Sequence, residues 1–411
     1  MEELGNFITN PIVLAVLGAA TLVGCVAGIG ALFRSPTKST TKVVADRGSI
    51  AAGGNQTVGA PVATNDSTIA TDQSTVVTNP SGGQTIIVQP GGTANFITYV
   101  DGWHEVSNRD HFEEGLKLQE AEKHEEAIRE FHAAFVNADT DSHRGVLHLL
   151  VGISQYMLSR FAQAEGSFRE SLRLFQSAGD EQGEVAALGD LGNIYLHRGD
   201  LDKAEEHYQQ ILVIDRATGN QLGEATALGN LGIIYRRRGD LDRAKAHYQQ
   251  ALAIYGETDN RLGQAQSLGN LGNVYFQRDD LDKAEEHYQQ ALDIDRKIDN
   301  RLGEARQLGS LGNVYANRGD TGKAEAYYKQ ALAIDREIGN RLDEAQDLGN
   351  LGLTYGQRGE LEKARASLNE AQSIFRDIGV SGAGHQNVRQ ALELIERLKR
   401  ERQESGKGES D

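Results

Sequence analysis

The chain runs to 411 residues, with a formal net charge of −17, 39% hydrophobic residues and a single cysteine. One cysteine excludes an internal disulfide framework, so the fold must stand on its packing. All but one of the excess negative charges lie beyond residue 100, which argues against a nucleic-acid partner, whose phosphates need a basic surface.

A short tail, residues 1–10, precedes an uncharged run from Pro11 to Phe33. At about 1.5 Å per residue a helix of that length reaches roughly 34 Å, enough to cross a hydrocarbon core of about 30 Å. Glu2 and Glu3 stand before the run, and Arg34, Lys38, Lys42 and Arg47 follow it. The positive-inside rule then places the C-terminal part in the cytoplasm, and the expectation is a single-pass membrane protein. A competing reading comes from Leu22-Val-Gly-Cys25, which resembles a bacterial lipobox. Cleavage and lipidation at Cys25 would put the rest outside the cytoplasm, although the acidic start and the apolar residues past Cys25 argue against it. Ala20, Gly24 and Gly28 form a small-residue ridge that offers self-association through Gly24 and Gly28, or is simply ordinary membrane-helix composition.

Residues 34–100 are rich in Thr, Gly and Ser and nearly uncharged, and a flexible tether is the default. Their β-branched content exceeds what a linker needs. Runs at Thr75–Thr78, Thr85–Val88 and Asn95–Val100 keep a small β-structure as the alternative.

Beyond residue 100 the chain repeats itself. Leu188-Gly-Asp-Leu-Gly-Asn-Ile-Tyr195 has counterparts at Leu228–Tyr235, Leu268–Tyr275, Leu308–Tyr315 and Leu348–Tyr355, forty residues apart. Each is followed by a second pair, Ala204/Tyr208, Ala244/Tyr248, Ala284/Tyr288, Ala324/Tyr328 and Ala364/Leu368. A fixed period of this size marks a solenoid, in which each unit buries its apolar face against its neighbours. Within a unit, Arg-Gly-Asp at 198–200, 238–240 and 318–320 supplies a helix stop and a cap. Between units, Gly219-Asn220 and Gly339-Asn340 do the same, with Asp259-Asn260 and Asp299-Asn300 as variants. No proline follows Pro90, so the second helix of each unit is free to run on.

The spacing Leu-x2-Leu-Gly-x2-Tyr, with Ala-x3-aromatic nine residues later, resembles the tetratricopeptide repeat (TPR), with Leu in place of the first Trp. More divergent units fit the register at Gly152, Ala164 and Phe168 and at Gly115, Leu118, Ala127 and Phe131. The forty-residue length is similar to Pins-type and kinesin-light-chain-type scaffolds and to bacterial peptide-sensing regulators. The resemblance implies an all-α, right-handed superhelical solenoid over residues 101–384. Seven helix-turn-helix repeats lie near 108–144, 145–184, 185–224, 225–264, 265–304, 305–344 and 345–384. It further implies a concave wall built from the first helices, with Asp190, Asn193, Asn230, Asn270, Asn273, Ser310, Asn313 and Asn350 facing the groove. Ile233 and Leu353 complete that register. An amide carries both a donor and an acceptor, so such a row suits the backbone of a protein or peptide ligand; hydrogen bonding between repeats is the competing use. The lysine position of chaperone-binding relatives is Gly here, so a carboxylate clamp of their kind is not expected. The acidic balance favours a neutral or basic ligand.

The paired glycines from Gly189/Gly192 to Gly349/Gly352 lie mid-helix and follow no strand, so they read as packing positions and not as phosphate loops. Arg236-Arg-Arg238 reads as a solvated helix end. His207, His247 and His287 recur once per repeat, spread along the solenoid and not gathered around a metal. No catalytic residue, metal or cofactor is expected. Residues 385–403 carry a stripe of Val388, Ala391, Leu392, Ile395 and Leu398, suited to capping the last repeat, before a polar tail at 404–411. Together these features imply a membrane-anchored scaffold. The alternatives are an exported lipoprotein or envelope-assembly factor, and a peptide-sensing regulatory protein.

Overall fold

A unit of this kind needs two good helices, a stop for each and a tight meeting between them. The computed structural model describes residues 67–71, 74–79, 84–88, 97–98, 109–380 and 383–408. The expected membrane span at 11–33, with Cys25, Gly24 and Gly28, lies outside the described residues. Among those described, no helix is long and apolar enough to cross a membrane.

Part of the segment read as a tether is sheet. Strands β1 (Ser67–Thr71), β2 (Ser74–Asn79), β3 (Gln84–Val88) and β4 (Ile97–Thr98) form an antiparallel meander in sequential order. Val77 stands opposite Thr68 on one side and Ile86 on the other. The β-branched residues that a linker does not need sit in these pairs.

Fifteen helices follow among the described residues. The first two pairs are α1 (Arg109–Glu120) with α2 (His124–Ala134), and α3 (Asp141–Met157) with α4 (Phe161–Ala178). Next come α5 (Glu181–Arg198) with α6 (Leu201–Thr218), and α7 (Gln221–Arg237) with α8 (Leu241–Glu257). Helices α9 (Arg261–Gln277) and α10 (Leu281–Lys297), then α11 (Arg301–Asn317) and α12 (Thr321–Ile338), continue the series. It ends with α13 (Arg341–Gln357), α14 (Leu361–Asp377) and α15 (Ala383–Gly408).

The turns work by side-chain capping. Gly199 ends α5 with φ of 78°, a left-handed conformation costly for other residues, and the Asp200 carboxylate accepts from the Lys203 N–H. Where the sequence offers Asp279 in place of that glycine, the aspartate adopts φ of 59° itself. Between units, the Asn220, Asn260, Asn300 and Asn340 side chains accept from the first turns of α7, α9, α11 and α13.

In the first six pairs a glycine of the first helix meets an aromatic ring of the second, and in the last pair Gly352 meets Leu368. A Cβ on Gly115 or Gly152 would stand 2.5 Å from Phe131 or Phe168. At Gly192, Gly232, Gly272 and Gly312 it would stand 2.9, 2.5, 2.6 and 2.5 Å from Tyr208, Tyr248, Tyr288 and Tyr328. These contacts offset the roughly 1 kcal/mol that each helical glycine costs relative to alanine. The first glycines differ: Gly229 would have nothing within 4 Å, whereas Gly309 would meet the Asp347 carboxylate at 3.0 Å. The tight helix-against-helix contacts within the unit therefore belong to the second column, since Gly189 stands only in ordinary contact with Ile211 at 3.9 Å.

Consecutive units also join on the side of the second helices. Glu165 accepts from the Tyr195 hydroxyl at 2.9 Å and pairs with Arg198. The same clasp recurs as Glu205 with Tyr235 and Arg238, Glu285 with Tyr315 and Arg318, and Glu325 with Tyr355 and Arg358. His207 and His247 stack on Tyr195 and Tyr235 with ring centroids 5.4 and 5.1 Å apart, and His287 lies tilted against Tyr275 at 4.9 Å, a packing role. At the C-terminal end α15 takes the place of a further first helix. Its Val388, Ala391, Leu392, Ile395 and Leu398 are buried, and Val388 lies over Gly349 of α13.

Candidate binding groove

First helices approach one another directly at α3/α5, α7/α9, α9/α11, α11/α13 and α13/α15, while no two successive second helices meet as closely. The stack therefore bends with the first helices on the inside. The residues following the paired glycines are carried on these inner helices, and they differ in what engages them.

Asn193, Asn273 and Asn313 are half committed. Their Oδ1 atoms accept from the hydroxyls of Tyr208, Tyr288 and Tyr328 at 2.6, 2.8 and 2.8 Å, a bond within the unit. No protein group engages their NH2. Asn350 is buried and donates to Asn313 at 3.2 Å, so a bond between repeats occurs in this row only there. Asn230, buried, and Asn270, half-buried, make no side-chain hydrogen bond, and neither amide is sealed from solvent. Ser310 is half-buried against Tyr288. Asp190 is buried near Tyr156 and Tyr208, and burial holds its carboxyl well above the usual range.

Toward the C-terminal end the inner wall turns acidic. Asp335, Asp343 and Asp347 surround a cavity of about 20 Å³ with Arg306, Asn313 and Asn350, room for a single water. Arg306 donates to Asp343 at 3.2 Å, and Asn340 donates to both Asp335 and Asp343. Burial and the neighbouring Asp343 charge push Asp335 up to about 8, and burial with the Asp335 charge holds Asp347 well above the usual carboxylate range. Two buried carboxyls this close oppose each other's ionisation. On the outer side, Tyr315, Tyr327, Lys323, Arg296, Gln289 and Gln330 border an open hollow of about 380 Å³. Among the described residues no group of three or more His, Cys, Asp and Glu is arranged to hold a metal ion.

The family model described as tetratricopeptide repeat matches residues 183–257, 224–297, 262–337 and 303–377. Residues 183–377 are tetratricopeptide repeats. Among solved structures it is similar to apo RapI, with 15% identity and a TM-score of 0.57 over 66% of this chain and 98% of that one. The apo quorum sensor NprR from B. thuringiensis is 16% identical, with a TM-score of 0.55 over 64% and 75% of the two chains. A Rap protein complexed with Competence and Sporulation Factor is 17% identical, with a TM-score of 0.53 over 72% and 87%. These likenesses concern the fold. No curated protein sequence matches.

Two features of this TPR protein escaped the sequence reading. Arg236 is not at a solvated helix end; it is 5% exposed, whereas Arg238 pairs with Glu205 and Asp202 outside. Comparing its column would have shown it, since Leu196, Phe276, Ala316 and Gly356 stand at the same place. The acidic junction was hidden because Asp335 and Asp347 belong to different units and meet only in space.

Proposed function

We propose that this TPR protein is a scaffold that holds an extended segment of a partner protein along its inner wall, and that residues 11–33 anchor it to a membrane with the repeats in the cytoplasm. The observation that carries the first half is the free amide chemistry of the inner helices. Asn230 and Asn270 have no side-chain partner, and Asn193, Asn273 and Asn313 keep an NH2 to offer. Backbone carbonyls and N–H groups of an extended segment match such a row whatever its side chains. A chain with net charge −17 favours a segment that is neutral or basic overall. The anchor half rests on the sequence of residues 11–33 and the basic residues after it.

The similarity to a Rap protein bound to Competence and Sporulation Factor, and to a quorum sensor, favours a second version in which the superhelix closes on its ligand as a sensor. Solution scattering that contracts on ligand addition supports it, and an unchanged profile supports the rigid scaffold.

The test starts with crosslinking pull-down from membranes to supply the partner. Asn230→Ala/Asn270→Ala should then weaken its binding by about five- to a hundredfold, from two hydrogen bonds of roughly 0.5–1.5 kcal/mol each, with little change in melting temperature. Asn273→Ala is the contrasting variant, because it also strips the acceptor from buried Tyr288 and should lower stability. Unchanged affinity in the double variant ends the amide-row reading. Loss of residues 1–24 with a lipid on Cys25, read from the mass of the mature N-terminus, ends the cytoplasmic anchor.

A further inference from the structure

One repeat holds two buried donors that have lost their acceptor. Tyr208, Tyr288 and Tyr328 give their hydroxyls to Asn193, Asn273 and Asn313. At Leu353 the acceptor is absent, and so is the tyrosine, which is Leu368 there. At Ile233 the acceptor is absent but the tyrosine remains, and the Tyr248 hydroxyl is buried without a hydrogen bond. Arg236 lies beside it. The guanidinium opposes the burial that raises Tyr248, and does the same at Tyr288, so it sits between the two tyrosines. Arg236 approaches the Tyr248 oxygen as a donor, but no well-formed bond closes there, and the Tyr248 O–H still lacks an acceptor.

Arg236 is also the unpaired member of its run. Arg237 donates to the Leu196 carbonyl at 2.6 Å, and Arg238 pairs with Glu205 and Asp202. Arg236 has no ion pair among the described residues, and its Nε–H is buried without a partner. Its Nη atoms meet no carboxylate, and the residue keeps 5% exposure. The wall beside it is bare: Gly229, two turns earlier on the same face of α7, would have nothing within 4 Å of a Cβ. A buried cation without a counter-charge and a buried hydroxyl without an acceptor are each unfavourable. One anionic oxygen pair would satisfy both, with the short charged bonds a guanidinium makes best.

We propose that Arg236 and the Tyr248 hydroxyl receive a carboxylate of the segment held in the groove, from an Asp or Glu side chain or from its C-terminus. This rests on the groove reading above and adds a fixed point to it. The amides grip the backbone in any register, whereas a single carboxylate site sets one. It also reconciles the site with the acidic chain, since a segment neutral or basic overall needs one acid, placed here.

The experiment uses immobilised full-length protein and synthetic octapeptide pools, randomised except for one position fixed as Glu, Gln or Lys, with free or amidated C-termini. Retained peptides are quantified by mass spectrometry. Wild type should retain Glu over Gln by about tenfold, as a charge-assisted bond allows, or free over amidated termini by about as much. Which preference appears tells the side chain from the terminus. Arg236→Gln should bring the ratio within about twofold while peptides are still retained. Arg236→Leu, which restores the residue of the Leu196 column, should do the same with a melting temperature at or above wild type, and it serves if the glutamine variant folds poorly. Ile233→Asn should reduce the preference by returning an acceptor to Tyr248. Equal retention of Glu and Gln and of free and amidated termini by wild type overturns the carboxylate site alone. So does a preference that survives in Arg236→Leu. Retention of no pool at all overturns the groove reading and this site with it.

Discussion

The units at 225–264 and 305–344 have the same helices, the same Gly-Asp turn inside the unit and the same glycine–tyrosine contact, yet they are tied to their neighbours very differently. In the later unit Asn313 accepts from Tyr328 and Asn350, Asp335 and Asn340 join across the junction, Arg336 pairs with Glu344, and Glu325 clasps Tyr355 and Arg358. The earlier unit has Ile233 for the asparagine, Tyr255 for the aspartate, Gly256 for the arginine and Lys245 for the clasping glutamate. Arg278 is left to pair with Asp242 alone, and Lys245 lies 5.5 Å from the Tyr275 ring. The solenoid is thus built by its apolar and glycine columns. The polar ties are a second layer, and where that layer is absent the inner wall keeps unsatisfied groups for something else.

The largest expected contrast is with pH. Asp335 is raised to about 8 and Asp347 is raised well above 3.8, so the folded chain holds a proton that the unfolded chain has already lost above pH 4. Their contribution is therefore most favourable at mildly acid pH and is lost as pH rises toward about 8. Between pH 5 and 8, denaturant unfolding of wild type should lose on the order of 2 kcal/mol relative to Asp347→Asn. Parallel curves for the two proteins would mean that the 305–344 unit is no more pH-sensitive than its neighbours.

A smaller contrast concerns the tyrosines. Tyr328→Phe removes a bond to Asn313 and should cost about 1 kcal/mol, whereas Tyr248→Phe removes a hydroxyl whose proton has no acceptor and should be neutral or slightly stabilising. Equal losses in chemical denaturation would erase the distinction between the two units. Smallest is Lys245→Glu, which offers Tyr275 and Arg278 the clasp found at other junctions. It should add about 0.5 kcal/mol and slow amide exchange in α8 and α9, and no change in exchange there would show that the clasp is ornamental.

The register of the solenoid was legible because it is fixed by short-range necessity: Leu188, Gly192, Tyr195 and Ala204 recur where helices must touch. Less legible was what each recurring residue touches. Gly229 and Gly232 look alike in the sequence, but only Gly232 faces a ring, since the first glycine's neighbour is decided by the following unit, as Gln307 is for Gly269 and Asp347 for Gly309. The asparagine row was visible as a row, yet the tyrosine that takes the oxygen of Asn273 stands fifteen residues away in another helix. The same limit hid the Asp335–Asp347 pair, which forms only when two units meet.

A stack of like units has no length written into any one of them, because each presents on one side what it covers on the other. Helix α15 ends that arithmetic here. It seats Val388 over Gly349 as a further first helix would, and Arg365–Glu396 and Lys399–Glu362 pairs hold it there, but no second helix follows within 383–408. The last apolar face is thereby covered from within the chain, where a first helix of another copy would otherwise seat.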